Sequence, residues 1–199
     1  MTSIAAGRAE SLGLDNVSTT VLDLDRIDQP DASHDVVLCR EGLMFALDHA
    51  GAAGEIGRVL RPGGRFAIAV WGPRVRNPWL GSVLDAVSDH LGMPVPPPGI
   101  PGPFSLDDAN ALAALFGGEP FEAVVVDEVS VPMQAGSFDE WWSRTLSLAG
   151  PLSTMLAAMP DDAVQAIRAR AEAAVGAYET PSGYEFPGVS LLATGRRAG

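Results

Sequence analysis

The stretch Glu55-Ile-Gly-Arg-Val-Leu-Arg-Pro-Gly-Gly-Arg-Phe-Ala-Ile-Ala-Val-Trp71 decides the fold. It reads as the end of an amphipathic helix, a tight turn and a buried strand. Pro62 presets φ in the turn, and Gly63 and Gly64 permit positive φ. Phe66 to Trp71 is almost wholly apolar, as a strand covered on both faces should be. Upstream, Asp48 is suited to cap a helix running to Leu60. Val36-Val37-Leu38-Cys39 before it reads as another strand. Strand, helix and strand over 36–71 have the length of a right-handed βαβ crossover. Ligands of such sheets sit beyond the carboxyl ends of the strands. The loops after Leu22, Leu38 and Val70 are therefore the candidate site.

Outward from this unit, Ile4 to Leu12 has a helical pattern that Gly13 ends. Val17 to Leu22 is rich in β-branched residues and is predicted to be a strand; 27–33 is polar loop. Pro78 to Leu91 reads as a helix. Pro94 to Pro103 must be extended and unpaired, either a stiff connector or a pocket wall. Ser105 with Asp108 resembles a capping box that opens a helix to Phe116. Phe121 to Val131 is predicted as a strand. Ser137 with Glu140 forms a second capping box, starting the helix that carries Trp141 and Trp142. Asp161 to Tyr178 is a long Ala-rich helix, and Val189 to Thr194 a last strand. The expectation is one domain over 1–199, with 94–103 as connector and 137–186 as a helical cover.

Composition sets limits. With 47% apolar and 19% charged residues in 199, the chain is globular rather than disordered. All 13 basic residues are arginine, and the net charge is −12. Such a chain repels phosphate backbones and anionic lipid unless its arginines cluster, and they do not. Nucleic acid and membrane surfaces are therefore not expected partners. The single Cys39 excludes an internal disulfide and fits a reducing compartment, so the expected location is the cytoplasm. No run reaches transmembrane length. His34, His49 and His90 have no metal-ligand spacing, so no metal is expected. Gly51-x-x-Gly54-x-x-Gly57 lies within a helix rather than at a strand-to-helix turn. It reads as a small-residue face for close packing, not as a phosphate loop.

The run 55–71 resembles the helix-turn-strand segment of class I S-adenosylmethionine (SAM)-dependent methyltransferases, of the ubiquinone-methyltransferase-like kind. The resemblance implies an α/β, Rossmann-like sheet with flanking helices and an antiparallel C-terminal strand. It also implies SAM as cofactor and a small molecule as methyl acceptor. In the family, the acid at the place of Asp23 receives the adenine amino group, and the next amide, that of Leu24, reaches the ring. The alternative for Asp23 is a solvated loop acid or a cap. Asp35 to Phe45 resembles the strand and loop that pass the methionine part of the cofactor, which brings in Cys39, Arg40 and Glu41. A small buried residue is the plainer role for Cys39. Trp71 to Trp79 matches a further family segment, so Trp71, Asn77 and Trp79 become acceptor-side candidates; Trp71 and Trp79 read either as core or as pocket wall, and core is the favoured role for three of the four tryptophans. Trp141 and Trp142 point about 100° apart on one helix, so one fits the core and the other is free to line a pocket. No catalytic base is nominated.

Against the family, the sequence shows no first strand, Gly-rich loop, first helix or second strand with its ribose-binding acid. Those units take about 50 to 70 residues. The sheet is therefore expected to be incomplete and SAM binding weakened. Val17 to Leu22 would pair with Val36 to Cys39, strands would come from a second copy or a completing partner chain, or the first segment would stay loosely docked. The first functional reading is methyl transfer from SAM to a small hydrophobic molecule. The second is an inactive or partner-completed fragment serving in binding or assembly. A nicotinamide-dependent oxidoreductase would need a G-x-G-x-x-G turn after a strand, which the chain lacks.

Overall fold

The structure, a computed structural model, describes residues 2–199. In chain order its first elements are α1 (Thr2–Ser11), β1 (His34–Arg40), α2 (His49–Val59), β2 (Leu60–Trp71), α3 (Pro78–Leu91), α4 (Ala109–Leu115) and β3 (Phe121–Ser130). They are followed by β4 (Met133–Ala135), α5 (Phe138–Leu148), α6 (Gly150–Ala157), α7 (Asp161–Val175), β5 (Glu179–Thr180), β6 (Gly183–Phe186) and β7 (Val189–Arg197). The main sheet has the order β1-β2-β7-β3. β1 and β2 run parallel, with Val37 opposite Phe66 and Cys39 opposite Ile68. β7 runs antiparallel to both its neighbours. The fold is thus α/β, with a mixed sheet and an antiparallel C-terminal strand, as expected.

The βαβ unit forms for the reasons its sequence gives. Asp48 Oδ1 accepts from the Gly51 N–H, capping α2. That helix buries Ala52, Ala53, Ile56 and Val59. Gly57 permits the close approach: a Cβ there would stand 2.8 Å from Pro120. The turn Arg61–Gly64 becomes a bulge at the root of β2. The register jumps from His34–Leu60 to Val36–Arg65, and Gly63 supplies a φ of 75°. Only one face of β2 is fully covered: Phe66, Ile68 and Val70 are buried, whereas Ala67, Ala69 and Trp71 are half-buried.

Two apolar cores share the molecule. One joins α2 and α4 to the main sheet through Leu43, Ile56, Ile68, Phe116 and Leu191. The other lies among α3, α5, α6, α7 and the small sheet β4-β6-β5, around Trp79, Trp141, Ile167 and Phe186. Trp71 packs against both.

Three expectations need correction. Val17 to Leu22 is extended coil, not a strand. Among the described residues no strand lies beside it, and an isolated strand leaves its backbone groups to water. The N-cap of α4 is Asp108, which accepts from the Ala111 N–H; Ser105 instead accepts from Gly102 N–H. The helix from Asp161 ends at Val175 and tightens into a 3-10 turn at Gly176–Tyr178. The second capping box does form. Ser137 accepts from Glu140 N–H, and the Glu140 carboxylate reaches back to Gly136 N–H. The short strands β4 to β6 and the helix α6 carried no sequence signal strong enough to be read.

Candidate functional site

The segment before β1 is held to α2 by the side chains of Arg58 and Glu55 and by backbone bonds from Ala32 and Ser33 to the Arg58 and Val59 carbonyls. Arg58 donates to Glu55, Asp31 and the carbonyls of Gln29 and Ile27. Glu55 in turn accepts from the Ile27 N–H at 2.8 Å. The Arg58 contact holds the Glu55 carboxyl below its ordinary value. This strap fixes the turn at 23–26, which closes with Arg26 N–H on the Asp23 carbonyl. A second latch then joins this turn to the loop after β1. The Asp25 carboxylate accepts from the N–H groups of Leu47 and Asp48, at 3.1 and 3.3 Å.

Between the latched segments lies an open trough of about 490 Å³, lined by Val21, Leu22, Asp23, Leu24, Phe45 and Leu47 among others. Its walls are apolar and exposed: Val21 is 84%, Leu47 82% and Phe45 47% accessible. Asp23 engages only Oδ1, which accepts from Asp25 N–H. Its other oxygen makes no hydrogen bond among the described residues and faces solvent. An apolar slot with one acceptor at its rim matches a flat heteroaromatic amine.

The end of β1 lies beside this trough. A Cβ on Gly42 would stand 3.0 Å from Cys39 Sγ and 3.8 Å from Leu24 Cδ1, so the two loops touch. Burial pushes the Cys39 thiol above its ordinary pKa, which keeps it protonated and a poor nucleophile. Arg40 is exposed. Glu41 has a φ of 52°, unusual for a residue with a Cβ. Its Oε1 accepts from Ser190 Oγ at 3.0 Å, while its Oε2 is buried with no partner. Burial raises its carboxyl above the ordinary value, against the opposing Ser190 bond and Arg40 charge.

The acceptor-side candidates separate. Trp71 ends β2 half-buried, opposite Ser190 in the register. Asn77 is fully buried, and its amide links Gly72, Pro73 and both backbone groups of Val189. It staples the end of β2 to β7. Trp79 is 2% exposed and stacks edge-on to Trp71 at 5.0 Å. Trp141 is fully buried, donating to the Trp79 carbonyl at 2.9 Å. Trp142 is 7% exposed within the same core. The structure therefore gathers Asp23, Leu24, Cys39, Arg40, Glu41 and Trp71 at one end of the sheet. It places Asn77, Trp79, Trp141 and Trp142 in packing positions. Asp25, Phe45, Leu47 and Ser190 were not singled out from sequence. Their roles depend on contacts between segments 20 to 150 residues apart, which no local pattern records. Among the described residues, no cluster of three or more His, Cys, Asp or Glu is placed to hold a metal.

Comparison with known proteins bears on the fold. Residues 1–68 match the sequence model of a methyltransferase domain family. The YcgJ protein of Bacillus subtilis superposes with a TM-score of 0.61 at 20% identity, over 100% of this chain and 79% of that one. Phosphoethanolamine N-methyltransferase 2 of Haemonchus contortus, solved with phosphomonomethylethanolamine and S-adenosylhomocysteine, gives 0.54 at 15% identity. There the match covers 100% of this chain and 42% of that one. The same nematode enzyme solved with SAM gives 0.54 at 16%, covering 100% and 41%. Identities this low speak to the fold. No curated protein matches the chain by sequence.

The nematode enzyme was solved with SAM, and two features of this chain have chemistry that suits such a group. The trough with Asp23 fits its adenine, and the orphaned Glu41 oxygen fits a cationic group. Residues 1–68 thus match a methyltransferase domain family, and the fold of the whole chain is shared with the YcgJ protein and the nematode N-methyltransferase.

Proposed function

We propose that the protein transfers a methyl group from SAM to a small hydrophobic molecule. The observation that carries this reading is the trough at the carboxyl end of β1, apolar on its walls and bearing the uncommitted Asp23 oxygen. Asp23 accepts the adenine amine there, and the Leu24 amide reaches the ring. Cys39, Arg40 and Glu41 border the methionine end. The half-buried Trp71 indole and the exposed apolar rim favour an acceptor with little charge. SAM supplies the methyl group; the chain's own residues orient the reactants and exclude water, and positioning can provide much of the rate. The lone Cys39 fits a reducing cytoplasm. Among the described residues, no helix is long and apolar enough to cross a membrane.

The test pairs binding with turnover. Calorimetric titration with SAM should show saturable binding, and Asp23→Ala should weaken it by about 1 to 3 kcal/mol through loss of the amine acceptor. Methyl-labelled SAM, offered with a panel of small aromatic and aliphatic acceptors, should label one class. Absence of SAM binding would overturn the reading, and unchanged affinity in Asp23→Ala would remove that residue from the site.

A further inference from the structure

Glu41 joins several unusual features in one residue. It terminates β1 at the ligand end of the sheet and carries a positive φ. Backbone conformations of this kind are strained and collect at functional sites. Its amide is anchored, donating to the Ala69 carbonyl of β2. One carboxylate oxygen takes the Ser190 hydroxyl, and the other is buried without any donor. A purely structural acid would use both oxygens, because an unsatisfied buried acceptor is costly.

The surroundings indicate what completes it. Ser190 stands directly opposite Trp71 across β2 and β7, so both side chains lie on one face. Glu41 reaches that same point through its Ser190 bond. On its other side, the neighbouring Gly42 abuts Leu24 of the trough. A carboxylate and an indole at one sheet end form the combination that recognises a positive charge. The unmatched oxygen has no cation of this chain on it; the nearby Arg40 points to an exposed position. We propose that Glu41 reads the positive charge of the cofactor, favouring the sulfonium form over the neutral thioether product. This rests on the reading that the trough holds SAM. Charge preference of this kind retains the reactant and releases the product after the methyl group, and with it the charge, has left.

The experiment is calorimetry on the full chain with three ligands: SAM, S-adenosylhomocysteine, and sinefungin, which carries an amine where SAM has sulfonium. The wild type should bind SAM and sinefungin roughly tenfold or more tightly than the thioether, the scale of one charge-assisted contact. Glu41→Gln should bring the three affinities within about twofold by weakening only the cationic ligands. Ser190→Ala, which keeps the charge, should preserve the preference, and it guards against a folding artefact in Glu41→Gln. Discrimination surviving intact in Glu41→Gln overturns the proposal and leaves the cofactor reading standing. Failure of the wild type to bind any of the three overturns both.

Discussion

The two ends of the chain treat their apolar residues in opposite ways. Around α3, α5, α6 and α7 the large side chains are sealed: Trp141, Ile167 and Phe186 are at most 1% exposed. From Leu12 to Leu47 many lie open: Val21 at 84%, Leu47 at 82%, Leu38 at 76% and Leu12 at 62%. The polar latches differ to match. In the sealed half, Asn77 and the Trp141 indole bond to backbone inside the core. In the open half, Arg58 and Asp25 hold loops from the outside. β1 is the edge of the main sheet, and Val36 and Leu38 on its outer face are open as well. The lesson is a division of labour: one half seals its apolar residues, and the other leaves apolar surface open beside unmatched acceptors, as the proposed function requires. Four outcomes test this division.

Trp141→Ala should have the largest effect. It empties a fully buried site and removes the hydrogen bond to Trp79, so stability should fall by about 3 to 5 kcal/mol in chemical denaturation. SAM affinity of the remaining folded protein should not change. A loss of affinity without a loss of stability would return Trp141 to the binding site.

Asn77→Ala comes next. It leaves buried groups of Gly72 and Val189 without partners, at a cost of about 2 to 3 kcal/mol. If the melting temperature stays unchanged while acceptor KM rises, Asn77 contacts substrate rather than backbone.

Asp23→Ala reverses the pattern. Its stability should stay within about 0.5 kcal/mol of wild type, since the residue is exposed and holds one local turn bond. Only cofactor affinity should drop, as stated above. Equal losses in stability and binding would show that the trough is part of the core.

Glu41→Gln should change stability only slightly, and the effect should depend on pH. Burial raises the carboxyl's folded-state pKa above its unfolded value. The folded protein therefore carries a desolvation penalty once the group is ionised, and the penalty disappears as pH falls below the ordinary carboxylate range. The Gln variant should melt above wild type at pH 8, by a margin of order 1 kcal/mol or less. That margin should vanish by about pH 4. A margin that grows toward acid would contradict the burial account.

How much of this was legible in the sequence follows from how local each cause is. The cap at Asp48, the Pro-Gly-Gly bend and the apolar run to Trp71 are local, and they fix α2, β2 and their parallel partner. Val17 to Leu22 had the right composition for a strand, but pairing requires a neighbour, and among the described residues none lies beside it. At the site, Asp23 could be picked out by its place after a β-rich run. Asp25 looked equivalent, yet it is the latch, because its partners lie at Leu47 and Asp48. Core is the favoured role for three of the four tryptophans, and three do fill one core; the adjacency of Trp141 and Trp142 suggested that one would line a pocket, but both are buried there. Glu41 gained its meaning only from Ser190, which lies 149 residues away.

The division between a ligand-facing half and a structural half is tested most directly by amide hydrogen exchange with and without saturating SAM. The account predicts that bound cofactor slows exchange at residues 21–25 and 39–47 and leaves 133–186 unchanged. Protection confined to 133–186, or none at 21–25, would contradict it.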